Sequence, residues 1–284
     1  MSTGAGEPTG ATAAPVRLFH GERELAALPP DDRARLYGDG LFETMRAHGG
    51  GVPWWRAHWT RLMRDAARLG IGTPREALVH ATVRDVLGGG DGVVRLQVDR
   101  GPGPRGYAPA RDVPPVWSVS LHPVPPHAGP LVLRWCGTRL AIQPALAGIK
   151  HCNRLEQVLA RGEWPGGVGE ADDGLMLDTE GHAVCATSAN LFVHLGGQWL
   201  TPPVDRCGIR GVCRDWVMAV LDVRELRLAR DDVERADALF LCNAVRGILE
   251  VARLGDRHWS PDPRIARLRG RLAAEHPAFA LESP

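Results

Sequence analysis

The sequence predicts a mixed α+β chain in two domains, and three observations predict it. Strand-like and helix-like pieces alternate over residues 16–122. The stretch PVPPHAGP, 123–130, then breaks the pattern with prolines and a glycine, as an interdomain linker would. Beyond it, over 131–284, several strands in succession are followed by helix-rich sequence. With 284 residues the chain can bury a small N-terminal core and a larger C-terminal one. Residues 1–15, MSTGAGEPTGATAAP, lack an apolar core and a basic start, and are expected to form a flexible tail.

Within 16–122, RLFHGEREL reads as a hairpin. LFETMRAHGGGVPWW comes next as a strand, a Gly-rich turn and a second strand. From Arg56 to Leu69 the apolar spacing becomes helical, with Leu62, Ala66 and Leu69 on one face. A further helix is expected near 74–87, and GGGDG leads from it into the strand VVRLQVDR, with VPPVWSVSLHPV as another strand. After the linker, LVLRWC is a strand, and NRLEQVLARGEW a helix expected to turn Leu155, Val158 and Leu159 inward. GLMLDTEGHAVCATSANLFVHLGGQWLT reads as a three-stranded meander turning at TEG and LGGQ. GVCRDWVMAVLDV is an amphipathic helix and ADALFLCNA a buried strand.

Composition narrows the function classes. A formal net charge of +1 gives no electrostatic footprint for nucleic acid. No apolar run approaches membrane-spanning length. The six cysteines, at 136, 152, 185, 207, 213 and 242, show no CxxC pairing, so a reduced, cytoplasmic protein is expected. No HExxH or comparable cluster occurs among the histidines, and no metal site is expected.

Lys150 is the only lysine, against 33 arginines (34 basic residues less one). Arginine can serve a surface, phosphate or ion-pair role, but it cannot become a neutral primary amine and attack a carbonyl. The lone lysine therefore points to a Schiff base, with codon bias as the plain alternative. HWTRL, 58–62, places His58, Arg61 and Leu62 near one helical face, where Arg61 either reaches a buried anion or lies along the surface. GIRGVCRDW, 208–216, puts two glycines before a helix beginning at Val212 and Cys213, a position suited to a phosphate or simply a Gly-rich helix start. Asn243 ends the apolar strand, to meet an anion or to begin a turn. GPGPRG, 101–106, matches GxGxxG, but YAPARDVPP cannot continue as the helix a dinucleotide site needs. Its Arg105 and Tyr107 still suit a carboxylate-bearing substrate.

Four pieces, YGDGLFETMR, DRGPGPRGY, LAGIKHCNRLEQVLAR and SANLF, together resemble the class IV (fold type IV) pyridoxal-phosphate enzymes, over about Leu36 to Val251. That family includes branched-chain and D-amino-acid aminotransferases, and the second and third pieces resemble its aminodeoxychorismate lyase branch. The resemblance implies a D-amino-acid-aminotransferase-like fold, with a small N-terminal α/β domain and a larger barrel-like domain carrying helices. It implies pyridoxal 5'-phosphate as cofactor, aminodeoxychorismate as small-molecule substrate and a homodimer. Lys150 would form the Schiff base and move the proton. Arg61, the backbone of Val212 and Cys213, and Asn243 would hold the phosphate. Arg95 and Arg105, with Tyr107 nearby, would meet substrate carboxylates, and Thr44 would assist proton transfer or position a ligand. An aminotransferase of the same fold and a non-catalytic relative are the competing readings.

One position departs from the family pattern. A glutamate five residues before the asparagine of SANLF normally pairs with the pyridine nitrogen, and Cys185 stands there, with Glu180 the nearest glutamate. A thiol cannot keep that nitrogen protonated. Three consequences stay open: a lyase running on a weaker electron sink because aromatisation drives it, a substitute residue or water, or diverged chemistry.

Overall fold

The computed structural model describes residues 16–110, 112–126, 129–164 and 171–280. The expected tail at 1–15 lies outside them, as do His127 and Ala128 of the linker. The first half holds β1 (Val16–His20), β2 (Arg23–Leu25), α1 (Arg33–Tyr37), β3 (Gly40–Ala47), α2 (Trp55–Leu69), α3 (Glu76–Leu87), β4 (Gly92–Asp99) and β5 (Val116–His122). Its strands form one antiparallel sheet in the order β2-β1-β5-β4-β3. The sheet buries Leu41, Met45, Leu96 and Trp117 against Leu62 and Ala66 of α2 and Val79 and Val83 of α3. Period-two alternation divides the side chains of β3 between two faces: Leu41, Glu43 and Met45 turn one way, Phe42 and Thr44 the other. The segment VPWW, expected as a strand, instead forms a turn leading into α2, and only a single bridge joins His48 to Gly51. Pro53 fixes φ and has no N–H to give a ladder, which favours a turn there.

The second half holds β6 (Leu131–Trp135), α4 (Leu155–Arg161), β7 (Asp173–Leu177), β8 (His182–Ala186), β9 (Asn190–Leu195), β10 (Gln198–Thr201), α5 (Val212–Val220), β11 (Val223–Glu225), β12 (Leu228–Ala229), α6 (Arg230–Glu234), β13 (Ala238–Asn243), β14 (Gly247–Leu254), β15 (Arg257–His258) and α7 (Pro263–Glu275). The order β9-β13-β14-β6-β7-β8 closes on itself through a β8–β9 pairing at Cys185 and Asn190, giving a six-stranded barrel. β13 is buried on both faces, which explains its unbroken apolar run. Leu239 and Leu241 join one core with Leu191, Val193 and Leu133, while Phe240 and Cys242 join another with Val217 of α5 and Leu268 of α7.

Two expectations change here. The meander has four strands, because Thr187 and Ser188 break its long middle segment; both hydroxyls donate to the Asp173 carboxylate, which ties the break to β7. Leu155, Val158 and Leu159 do not face inward: they are 75%, 62% and 64% exposed. Helical spacing shows that residues share a face, not which face a seven-residue helix turns to the protein.

Gly174 on β7 sits where the core closes most tightly. A Cβ there would lie 2.4 Å from Cys136 Sγ and 2.5 Å from the Trp164 ring. Gly174→Ala is therefore expected to destabilise the protein by about 1–3 kcal/mol through overpacking, seen as a lower Tm.

Candidate active site

Lys150 is held from both sides by its backbone. Its N–H donates to Asp65 Oδ2 of α2 at 3.0 Å, and its carbonyl accepts from the Phe42 N–H of β3 at 3.0 Å. The preceding strap is fixed equally firmly. Gly148, at φ +78°, donates to the Gly208 carbonyl at 2.9 Å and accepts from the Arg210 N–H at 3.1 Å. That left-handed conformation favours glycine and explains the glycine of LAGIK. The strap thus delivers Lys150 into the cleft between the sheet and the barrel, with Nζ 4.2 Å from the centre of the Phe42 ring. Burial first, then the charges of Arg61, Arg154 and Arg95, lower the lysine pKa to about 7.

Beside it stands a buried group that sequence reasoning missed. Glu43 turns away from Phe42 and Thr44, toward α2, and is 1% exposed. Its Oε1 accepts from Arg61 Nε at 2.8 Å, and its Oε2 accepts from Arg61 Nη2 and, at 2.6 Å, from His58 Nδ1. Burial alone would raise the Glu43 pKa, but the Arg61 charge and the His58 hydrogen bond overcome it and hold the carboxyl at about 2. Burial pushes His58 below its ordinary pKa, so a neutral ring donates to the carboxylate. Arg61 therefore does reach a buried anion, and that anion belongs to the protein. The alternation L-F-E-T was the available signal: it placed a glutamate on the helix-facing side of a core strand.

Lys150, Arg61, Thr44, Cys185, Val212 and Asn243 all line one cavity of about 820 Å³. Gly211 begins α5 without a side-chain cap, and a Cβ on it would meet Asn190 Oδ1 at 2.2 Å. The Cys213 side chain points away into the core beside Cys242, so only its backbone belongs to the helix start. Asn243 begins a turn: its Oδ1 accepts from the N–H groups of Val245 at 3.0 Å and Arg246 at 2.8 Å. Cys185 is buried, and burial pushes its thiol up to about 12, leaving it protonated. Glu180 does not take its place, for it lies in the β7–β8 turn and pairs with Arg206. Among the described lining residues none is acidic.

Three residues expected at the substrate do not line this cavity. Arg105 is exposed and Tyr107 is 86% exposed, and neither lines the cavity. A loop without ladder hydrogen bonds leaves the direction of its side chains unwritten in local sequence. Arg95 stands opposite Thr44 in the β3–β4 register and stacks over Phe42 at 4.2 Å, but it does not line the cavity. The cations that do line the wall, beyond Lys150 and Arg61, are Arg154 and Arg161.

A closed barrel joined to a smaller antiparallel sheet, with one buried amine in the cleft between them, is the fold type IV architecture. The family model for amino-transferase class IV matches residues 40–254, and the chain belongs to that family. An aminodeoxychorismate lyase from Vibrio harveyi is 33% identical over 86% of this chain and 94% of its own length. A putative branched-chain-amino-acid aminotransferase from Methanocaldococcus jannaschii is 30% identical over 80% and 82% respectively. The crystal structure of a 4-amino-4-deoxychorismate lyase from Pseudomonas aeruginosa superposes with a TM-score of 0.84 at 35% identity, covering 92% of this chain and 99% of that one.

Removing the Glu43 charge leaves Arg61 buried and unmatched. Glu43→Gln is expected to cost about 3–5 kcal/mol, measured by denaturant unfolding. Because the folded pKa is depressed, the stabilisation is complete above the ordinary carboxyl pKa of 4.5 and is lost as pH falls toward about 2. The Gln variant should therefore show a flatter acid limb, and an unchanged limb would refute this role.

Proposed function

We propose that this chain is a pyridoxal-phosphate-dependent lyase that converts 4-amino-4-deoxychorismate to 4-aminobenzoate and pyruvate. The observation that carries the reading is Lys150, the chain's sole lysine, with its amine in the cavity wall and its pKa lowered to about 7. The likeness to two lyases, at 33% and 35% identity, favours elimination over amino transfer.

The residues fit the cofactor at two of its ends. The bare start of α5 at Gly211 and Val212, with Arg61 beside it, offers backbone N–H groups and a cation to a phosphate. The Lys150 amine would hold the aldehyde. At the ring nitrogen Cys185 would offer only a weak, uncharged donor. When bound, the cofactor supplies an electron sink for the carbon that bears the substrate nitrogen.

The chain's own groups then move protons and hold position. The Lys150 amine, a base poised near neutrality, would take the ring proton from the carbon bearing nitrogen. The carbon–oxygen bond to the enolpyruvyl group breaks, the ring becomes aromatic, and a proton returned to the enol methylene gives pyruvate. Thr44, on the same face of β3 as Phe42, stands in the wall where its hydroxyl can relay that proton.

Borohydride reduction of the protein incubated with pyridoxal phosphate should label Lys150, and the wild-type holoenzyme should release pyruvate from aminodeoxychorismate while Lys150→Ala releases none. No label removes the cofactor reading. A label without pyruvate, with an amino donor converting the cofactor to its amine form, transfers the assignment to an aminotransferase.

We also propose that α4 is covered by a second copy of the chain. Leu155, Val158 and Leu159 form an exposed apolar group, and Val158 also lines the cavity, so a partner there would help close it. Light scattering should give twice the 30.7 kDa chain mass for the wild type and a shift toward the monomer for Leu159→Asp; a monomeric wild type refutes the pairing.

A further inference from the structure

Four cations line the cavity, and they differ in what answers their charge. Arg61 is matched by Glu43. Lys150 is an amine with a lowered pKa. Arg161 lies over the Trp164 ring at 4.7 Å and donates to its carbonyl at 2.8 Å. Arg154 differs from all three. Its Nε donates to the His151 carbonyl at 2.9 Å, but its Nη2 is buried without a hydrogen-bond partner among the described residues, and no described carboxylate pairs with it. One turn further along α4, Gln157 lines the same wall with its Oε1 buried and unpartnered.

A buried guanidinium N–H left without an acceptor is costly, more so than a neutral donor. Keeping one on a cavity wall makes sense where an anion arrives to take it. Arginine's planar fork matches a carboxylate through two parallel hydrogen bonds. The Gln157 amide, turned about its last bond, would present its NH2 group to the same anion. Arg95 and Arg105, the arginines expected from the sequence, do not line the cavity, whereas Arg154 opens on the space beside Lys150.

We propose that Arg154, supported by Gln157, is the carboxylate-binding subsite that selects amines carrying an anionic group within reach of Lys150. The subsite deepens the lyase reading and rests on it for the identity of the natural substrate. With the substrate amine directed to the cofactor beside Lys150, a carboxylate on Arg154 would fix the ring's orientation and present its reacting carbon to the lysine amine.

The test uses pyridoxal-phosphate-loaded wild type, Arg154→Gln and Arg154→Lys, with 4-aminobenzoate and aniline as paired probes and binding measured by calorimetry. Loss of one charge-assisted contact should weaken 4-aminobenzoate by roughly 10- to 100-fold in Arg154→Gln. Aniline binding should stay unchanged, and Arg154→Lys should fall between. Equal affinity of wild type and Arg154→Gln for 4-aminobenzoate overturns the proposal. So does equal weakening of both probes, and so does a shifted cofactor absorption band with 4-aminobenzoate affinity retained, which would place Arg154 at the cofactor. The Lys variant, which keeps the charge, covers the case in which Arg154→Gln fails to fold. Because the readout is binding, a wild type that releases no pyruvate but shows the carboxylate-dependent loss sinks the lyase reading and leaves the subsite standing.

Discussion

The buried Glu43 carboxylate is the constraint around which the cleft is organised. It sits on the helix-facing side of β3 and binds both His58 and Arg61 of α2, so one carboxylate sets the position of sheet against helix. It also lets a guanidinium stand in the cavity wall without bringing in an uncompensated charge. Arg61 then uses its Nη1 to reach the Arg210 carbonyl at 3.1 Å, joining the small sheet to the loop before α5. Asp65, one turn further along α2, receives the Lys150 N–H. Two carboxylates on the inner side of one sheet–helix layer thus hold two of the four cations that line the cavity.

The chemistry of Lys150 is a consequence of that arrangement. Burial and the neighbouring guanidinium groups favour the neutral amine, and the Glu43 carboxylate opposes them only in part. Arginine at position 150 would remain charged under the same pressure. The lone lysine in an arginine-rich chain is thus the basic residue of the wall that can lose its proton, and its backbone is fixed on both sides.

Much of this was legible in the sequence, for reasons that differ from residue to residue. The strand at 92–99, the helix from 56 to 69 and the double-faced strand at 238–243 announced themselves through period and apolar content, because burial imposes that pattern directly. Lys150 stood out through amine chemistry and rarity. What stayed hidden depends on tertiary direction. Leu155, Val158 and Leu159 share a helical face, but nothing local says that the face turns outward. Arg105 and Tyr107 lie in a loop whose aim is set by contacts outside itself. Arg154 was one of 33 arginines in sequence, and only its unpartnered Nη2 in a cavity wall separates it from the rest.

Charge accounting connects the two unusual features of the cleft. The described wall contains four cations and no carboxylate, and at Cys185, where the family pattern supplies an acid, there is a neutral thiol. An amine substrate with no anionic group would leave Arg154 uncompensated and would depend on a ring nitrogen with no acid to protonate it. The proposed substrate, a dicarboxylated, ring-bearing amine, would meet both difficulties. Its carboxylates would supply negative charge, and its conversion to an aromatic product would supply driving force that a weak electron sink cannot. Amino transfer has no such compensation, since it exchanges one amine for another and must draw its carbanion stabilisation from the cofactor ring. Under the proposed lyase reading, the neutral thiol at Cys185 would be tolerable for an aromatising elimination, and Arg154 would supply the partner for the substrate's carboxylate.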